Sequence, residues 1–260
     1  MARWALLAWA KDLEKVSIQE SVAFDGLENF SFSQYEPNNI NHAVGRESLF
    51  VYDFNLSAMN RKGRMSQRQK KRKKKLEEKH GRFPSAIAKD ARAIFERLLA
   101  KADRLTLHSD NHYAYREALG RIKSPKLFHQ ITSSKVARNY RNRLFAINHT
   151  DLLSRHHLAD YKRETIAFAK HTVSMQESFV LLSVYKNYMR PCFIKPHKDR
   201  SFNKESPAMR LGLKKHILSF GEFFRIRPAK IQVKLNPDWQ KLFQRLDPTS
   251  RHPILSYQGI

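Results

Sequence analysis

Apolar and polar positions along this chain alternate in two periods, one suited to helices and one to strands. Met1 to Ala10 reads MARWALLAWA, and the charged run Lys11-Asp12-Leu13-Glu14-Lys15 follows it. A signal peptide would continue to a small-residue cleavage site. The charges instead predict an amphipathic helix over residues 1 to 20, in a cytoplasmic protein. From Ser21 to about Met59 the pattern changes. Val22-Ala23-Phe24 and Phe30-Ser31-Phe32 flank Asp25-Gly26, and Leu49-Phe50-Val51-Tyr52 is a second β-rich run, so strands interrupted by turns are expected. Pro84 opens a helix through about Ala102, with Ile87, Ala91, Ile94, Leu98 and Ala102 on one face. Arg104-Leu105-Thr106-Leu107-His108 predicts a short strand ending at Ser109-Asp110, and Tyr113, Tyr115, Ala118, Leu119 and Ile122 recur at helical spacing after it. Residues 143 to 171 predict a long polar helix. Residues 173 to 189 predict a more apolar one, stopped by Pro191. Beyond Leu213 the chain reads as a tail of strand-like and proline-broken pieces, such as Ile226-Arg227-Pro228 and Leu235-Asn236-Pro237.

Composition narrows the partners. The 260 residues are 41% hydrophobic, enough to build a core, and the formal net charge is +25. A compact domain with that excess repels itself, and a polyanion is the natural counterweight. Nucleic acid is the leading candidate. A membrane is the rival, but the chain has no run of about 18 apolar residues. A single cysteine, Cys192, excludes an intrachain disulfide and any zinc site built on paired cysteines. Any metal must then be held by oxygen or histidine. Residues 61 to 79 carry a dense basic tract from Arg68 to Lys75 that includes Lys70, Lys71, Arg72 and Lys73. Such a tract is more often a solvated helix face or loop than a sequence-reading element, and in either form it can contact phosphates.

Three acidic or amide-bearing segments follow one another in an order that suits phosphodiester chemistry. Asp25 follows an early strand, Asp110 follows a later one, and a polar helix brings Asn148, Asp151 and Arg155. Two divalent ions acting on a phosphodiester need hard oxygen ligands from separate segments that converge at strand ends. Asn148 and Asp151 are three apart and Arg155 is four further on, so on a helix all three share a face. There Arg155 can hold a DNA phosphate beside the metals. By itself the spacing is weak, because a strand-end Asp is more often a turn or cap residue.

The ordered set is more specific. It comprises Val22-Ala23-Phe24-Asp25 with Phe30, Leu107-His108-Ser109-Asp110 with Tyr115, and Ile147-Asn148-His149-Thr150-Asp151 with Arg155. Arg163-Glu164-Thr165-Ile166-Ala167-Phe168, Tyr185-Lys186-Asn187-Tyr188-Met189-Arg190-Pro191, and Ser206-Pro207-Ala208-Met209 with Gly212-Leu213 continue it. In order and separation, over roughly residues 16 to 213, this resembles the DDE transposases of bacterial insertion sequences. The resemblance implies an α/β, RNase H-like fold: a mixed sheet flanked by helices, with a basic insertion near 61–84. It implies metal-dependent cleavage and strand transfer on transposon ends, with Mg²⁺ or Mn²⁺ as cofactor and a homodimer assembled on nucleoid DNA. Asp25 corresponds to the first acid and Asp110 to the second, with Arg155 and Arg163 as DNA contacts.

Two departures qualify it. Related helices place Glu where this chain has Asn148. The third ligand is therefore Asn148, favoured with Asp151 in support, or Asp151 itself, or the site is impaired; Glu164 is a weaker candidate. Related proteins also usually carry an N-terminal zinc ribbon and helix-turn-helix. Here only about 20 residues precede the first strand, which reads as the remnant of a linker to a missing DNA-binding region. The remaining alternatives are an RNase H-like nuclease that cleaves without joining and a remnant that only binds DNA. Among the other candidates, His108, His149, His156 and His157 are expected to be phosphate-facing or surface groups. Tyr115 is expected in the core, Trp4 and Trp9 in helix packing, and Cys192 has no nucleophile context.

Overall fold

Residues 1–133, 135–162, 166–192, 204–225 and 232–246 are described by the computed structural model of the chain. The apolar run at Val22 does not stop at Asp25-Gly26. It continues as one strand, β1 (Val22–Phe30), with Asp25 and Gly26 inside it, so the turn expected there is absent. Strand β2 (Pro37–Gly45) pairs antiparallel with β1, from Val22 opposite Gly45 to Phe30 opposite Pro37. Strand β3 (Val51–Ala58) pairs antiparallel with β2. On its other side β1 runs parallel to β4 (Leu105–Ser109), and β4 parallel to β5 (Leu127–Ile131). The order is β3-β2-β1-β4-β5. A mixed five-stranded sheet in this order, flanked by helices, is an α/β architecture consistent with an RNase H-like fold.

Two helical layers cover the sheet. On one face Phe24 packs edge-on against Phe95 of α3 (Ile87–Leu99), at 4.6 Å, and Tyr115 of α4 (Tyr113–Gly120), at 5.0 Å. The neighbouring residue Asp25 points to the opposite face, as strand geometry requires. That face is covered by α5 (Phe145–His157) and α6 (Thr172–Val184), the latter running on into a π-turn at Tyr185–Met189. Phe54 on the same face meets Phe179 of α6 at 5.2 Å. Trp9 of α1 (Ala2–Leu13) is fully buried and stacks on Phe54, so α1 belongs to the core. The basic tract forms α2 (Gln67–His80).

The sequence pattern misjudged other elements as well. The polar helix expected over 143–171 ends at His157 and is followed by a 3-10 turn at Ala159–Tyr161. The region beyond Leu213 contains helices and, among the described residues, no strand. After the short α7 (Pro207–Arg210) come α8 (Phe220–Arg225) and α9 (Pro237–Gln244), with Phe223, Trp239 and Leu242 buried. Asn236-Pro237 is a helix start and not a break. Asn236 Oδ1 accepts the Trp239 N–H at 2.9 Å, and proline fits the first helical turn, where its missing N–H is not needed. Ile226-Arg227-Pro228 lies outside the described residues. Trp239 Nε1–H donates to the Phe54 carbonyl at 3.0 Å, so α9 covers the outer edge of β3. Among the described residues no helix is long and apolar enough to cross a membrane.

Candidate functional site

The parallel pair β1/β4 brings the first two acids together. Its register sets Val22 opposite Leu107 and Ala23 opposite His108. Carried forward two residues, it sets Asp25 level with Asp110, where β4 has ended and the strands part. Asp25 is also the register partner of His42 on β2, so both side chains leave the same face. Helix α5 crosses that face. Asp25, Asp110, Asn148, Asp151 and Arg155 all line one cleft of about 830 Å³. The three-and-four spacing on α5 thus does place Asn148, Asp151 and Arg155 on one side.

Each acid is held differently. Asp25 Oδ1 accepts the Gly26 N–H at 2.7 Å and the Tyr115 hydroxyl at 3.3 Å. Burial pushes the Asp25 carboxyl up to about 7, and the negative charges of Asp151 and Asp110 push the same way; the Gly26 N–H and His42 pull it back in part. The buried Tyr115 hydroxyl is raised by burial and then by Asp25 and Asp110. Asp110 Oδ1 accepts the His112 N–H at 2.9 Å, so it also fills the ordinary turn role before α4. Asp151 Oδ1 stands 3.1 Å from Nε2 of His42, whose other nitrogen lies 3.2 Å from the Ile40 carbonyl. The imidazole is fully buried, and its Nε2 and the facing Asp151 Oδ1 are both buried without a hydrogen-bond partner. Arg155 donates to the carbonyls of Tyr161, at 3.0 Å, and Glu28, at 3.3 Å. It ties β1 to the turn after α5 as well as facing the cleft.

Other residues singled out in the sequence lie elsewhere. Lys70, Lys71, Arg72 and Lys73 are on α2 and do not line the cleft. Arg163 and Glu164 lie outside the described residues. His108 is neither a surface group nor phosphate-facing: it is buried, 3.3 Å from Arg46 Nη1, and burial followed by Arg46 lowers it to about 4, which keeps it neutral. His149 lines the cleft half-buried, and burial with Lys186 and Arg190 lowers it to about 4 as well. Sequence reasoning missed His42, Asn39 and Arg138. His42 and Asn39 sit on β2, whose polar composition hides a strand, and Arg138 comes from the loop between β5 and α5.

Among the described residues no group of three or more His, Cys, Asp or Glu side chains stands close enough to hold a metal ion. The donor set nonetheless suits a hard divalent cation. Asp25 and Asp110 offer carboxylate oxygens, neither forms an ion pair among the described residues, and burial, with repulsion from Asp151 and Asp110 added, raises Asp25. An added positive charge would relieve that repulsion, and Asn148 offers an amide oxygen from the facing helix. Neither known protein families nor curated proteins yield a match to this chain.

Proposed function

We propose that this chain is the catalytic part of a DDE-type DNA transposase, which cleaves transposon ends and joins them to target DNA. The observation that carries the reading is the meeting of Asp25 and Asp110, from separate parallel strands, with Asn148 and Asp151 of α5 in one cleft. Asp25 and Asp110 would hold Mg²⁺ or Mn²⁺, with Asn148 or Asp151 as third ligand. Such ions supply activation of the attacking hydroxyl and neutralisation of the leaving oxygen. The chain's own groups position the reaction. The Gly26 N–H and Tyr115 hydroxyl aim Asp25, and the His112 N–H aims Asp110. His42 stands 3.1 Å from Asp151, and Arg138 and Arg155 line the cleft as cations for the phosphates. The protein works as a homodimer on DNA in the cytoplasm.

Strand transfer with pre-cut transposon-end DNA and Mn²⁺ tests this. Joined products, lost in Asp110→Asn, support the transposase. Nicking without joining means an RNase H-like nuclease. DNA binding with neither activity, unchanged by Asp110→Asn, means a remnant that only binds. Comparing Asn148→Ala with Asp151→Ala then identifies the third ligand through the Mn²⁺ concentration needed for cleavage.

A further inference from the structure

Helix α2 has no buried residue. It belongs to an excursion between β3 and α3 that is closed at its neck by Asn60, whose side chain donates to the Phe83 carbonyl at 2.7 Å and accepts the Phe83 N–H at 3.0 Å. Ser66 starts the helix as a reciprocal cap with Gln69. Its half-buried positions are Gln69, Lys73, Leu76, Glu77 and His80, which fall on one face. Arg68, Lys71, Arg72, Lys75 and Lys79 are all exposed, and their spacing of three and four puts them together on another face. Both acids of the helix are drawn off that stripe: Glu77 pairs with Lys73 and Arg82, and Glu78 with Lys74. The stripe therefore carries five cations over about 16 Å at the rise of an α-helix. Each neighbouring pair within it repels, and no buried packing offsets the repulsion.

The arm is tied to the sheet that carries the cleft. Arg61 lies over the Tyr35 ring at 5.0 Å and fastens the arm to the β1–β2 turn, with Arg72, at the margin of the stripe, further off the same ring at 5.6 Å. Gly26 and Glu28 of β1, Asn39 of β2, and Ile87 at the start of α3 all line the cleft. A partner that suits the stripe must be a stiff polyanion with regularly spaced charge, and a DNA duplex offers one charge per roughly 1.7 Å of axis.

We infer that α2 is a second DNA contact outside the cleft, with Arg68, Lys71, Arg72, Lys75 and Lys79 laid along the phosphates of duplex DNA and Lys70 and Lys73 off that line. The inference rests on the nucleic-acid partner proposed above but not on cleavage. The test uses the full chain, a duplex of arbitrary sequence and fluorescence anisotropy across a salt series. Replacing the five stripe cations by Gln is expected to reduce the slope of log K against log salt by about 4.5, since each phosphate contact contributes about 0.9. Affinity should fall at least tenfold and the melting temperature stay unchanged. A control variant replaces Lys15, Lys123, Lys126, Lys162 and Lys215, five exposed cations elsewhere. An equal loss in the control means that net charge alone acts, and overturns the inference. Unchanged DNA binding also overturns it, and loss of binding to vesicles of anionic lipid alongside that result would assign the stripe to a membrane. If the slope falls but no variant or wild-type protein cleaves DNA, the arm stands and the transposase reading fails.

Discussion

Asp25 and Asp53 make an instructive pair. Both lie inside strands of one sheet, both follow an aromatic residue, and each accepts the N–H of the next residue, at 2.7 Å and 2.8 Å. Burial raises both carboxyls. The difference is the company. Arg97 donates to Asp53 at 2.6 Å and to Asp238 at 2.9 Å, tying β3, α3 and α9 together. Its charge pulls Asp53 back down. Asp25 instead faces two further carboxylates. One aspartate is a finished piece of structure, while the other stands among carboxylates with no cation paired to it among the described residues. The contrast separates a building role from a candidate chemical one where residue type and strand position do not.

Substitutions can break or sharpen that comparison. The largest effect is expected on the cleft side. Asp110→Asn should reduce single-turnover nicking with Mn²⁺ by about 10³-fold or more, roughly 4 kcal/mol of barrier, with the melting temperature unchanged. Full activity in that variant would separate the cleft from the chemistry. On the structural side, Asp53→Ala leaves Arg97 half-compensated and should cost about 3 kcal/mol in urea unfolding. Asp25→Asn should have the opposite sign. Asp25 is raised from 3.8 to about 7 in the fold, so the fold binds its proton more tightly than the unfolded chain does. Stability from that proton is present below pH 3.8 and is lost as pH rises through about 7. In chelator, wild type should weaken over that window relative to Asp25→Asn by about 2 kcal/mol, a figure reduced because the carboxyl opens onto the cleft. A wild type that gains on the variant as pH rises would contradict the raised Asp25 carboxyl. The smallest effect is expected at Ser57, whose hydroxyl donates to Asp90 at 2.6 Å. Ser57→Ala should cost about 1 kcal/mol in the same unfolding assay.

The sequence was legible where burial and hydrophobicity coincide. The apolar β4 and the one-sided α3 could be read from their periods, and β1 only as far as Phe24, which still pointed to the two acids. Strand β2 could not. Asn38, Asn39, Asn41 and His42 are all buried there, and the asparagines are bonded by contacts that only the folded chain creates, such as Asn41 to Asn55 at 2.9 Å and to Ser57 at 2.8 Å. A polar strand of this kind looks like a loop until its partners are known, so His42 went unseen. Strand β5 was missed for a different reason: it is a sheet edge with Phe128 and Ile131 exposed, and shows no clear inward face. At α9 the sequence carries a start signal, an asparagine cap followed by proline, whereas a proline taken by itself reads as a break.

Gly26 has a further consequence. A Cβ there would stand 2.2 Å from Nδ2 of Asn39 and 2.5 Å from its Oδ1, so any side chain must displace that amide. Asn39 donates to Asn41, Asn41 to Asn55, and Asn55 to Asp238 at the start of α9. The next residue is Trp239, packed 4.6 Å from Trp9. The wall of the cleft is thus wired to a chromophore, and a methyl group added beside Asp25 should register as a change in indole emission on the last described helix.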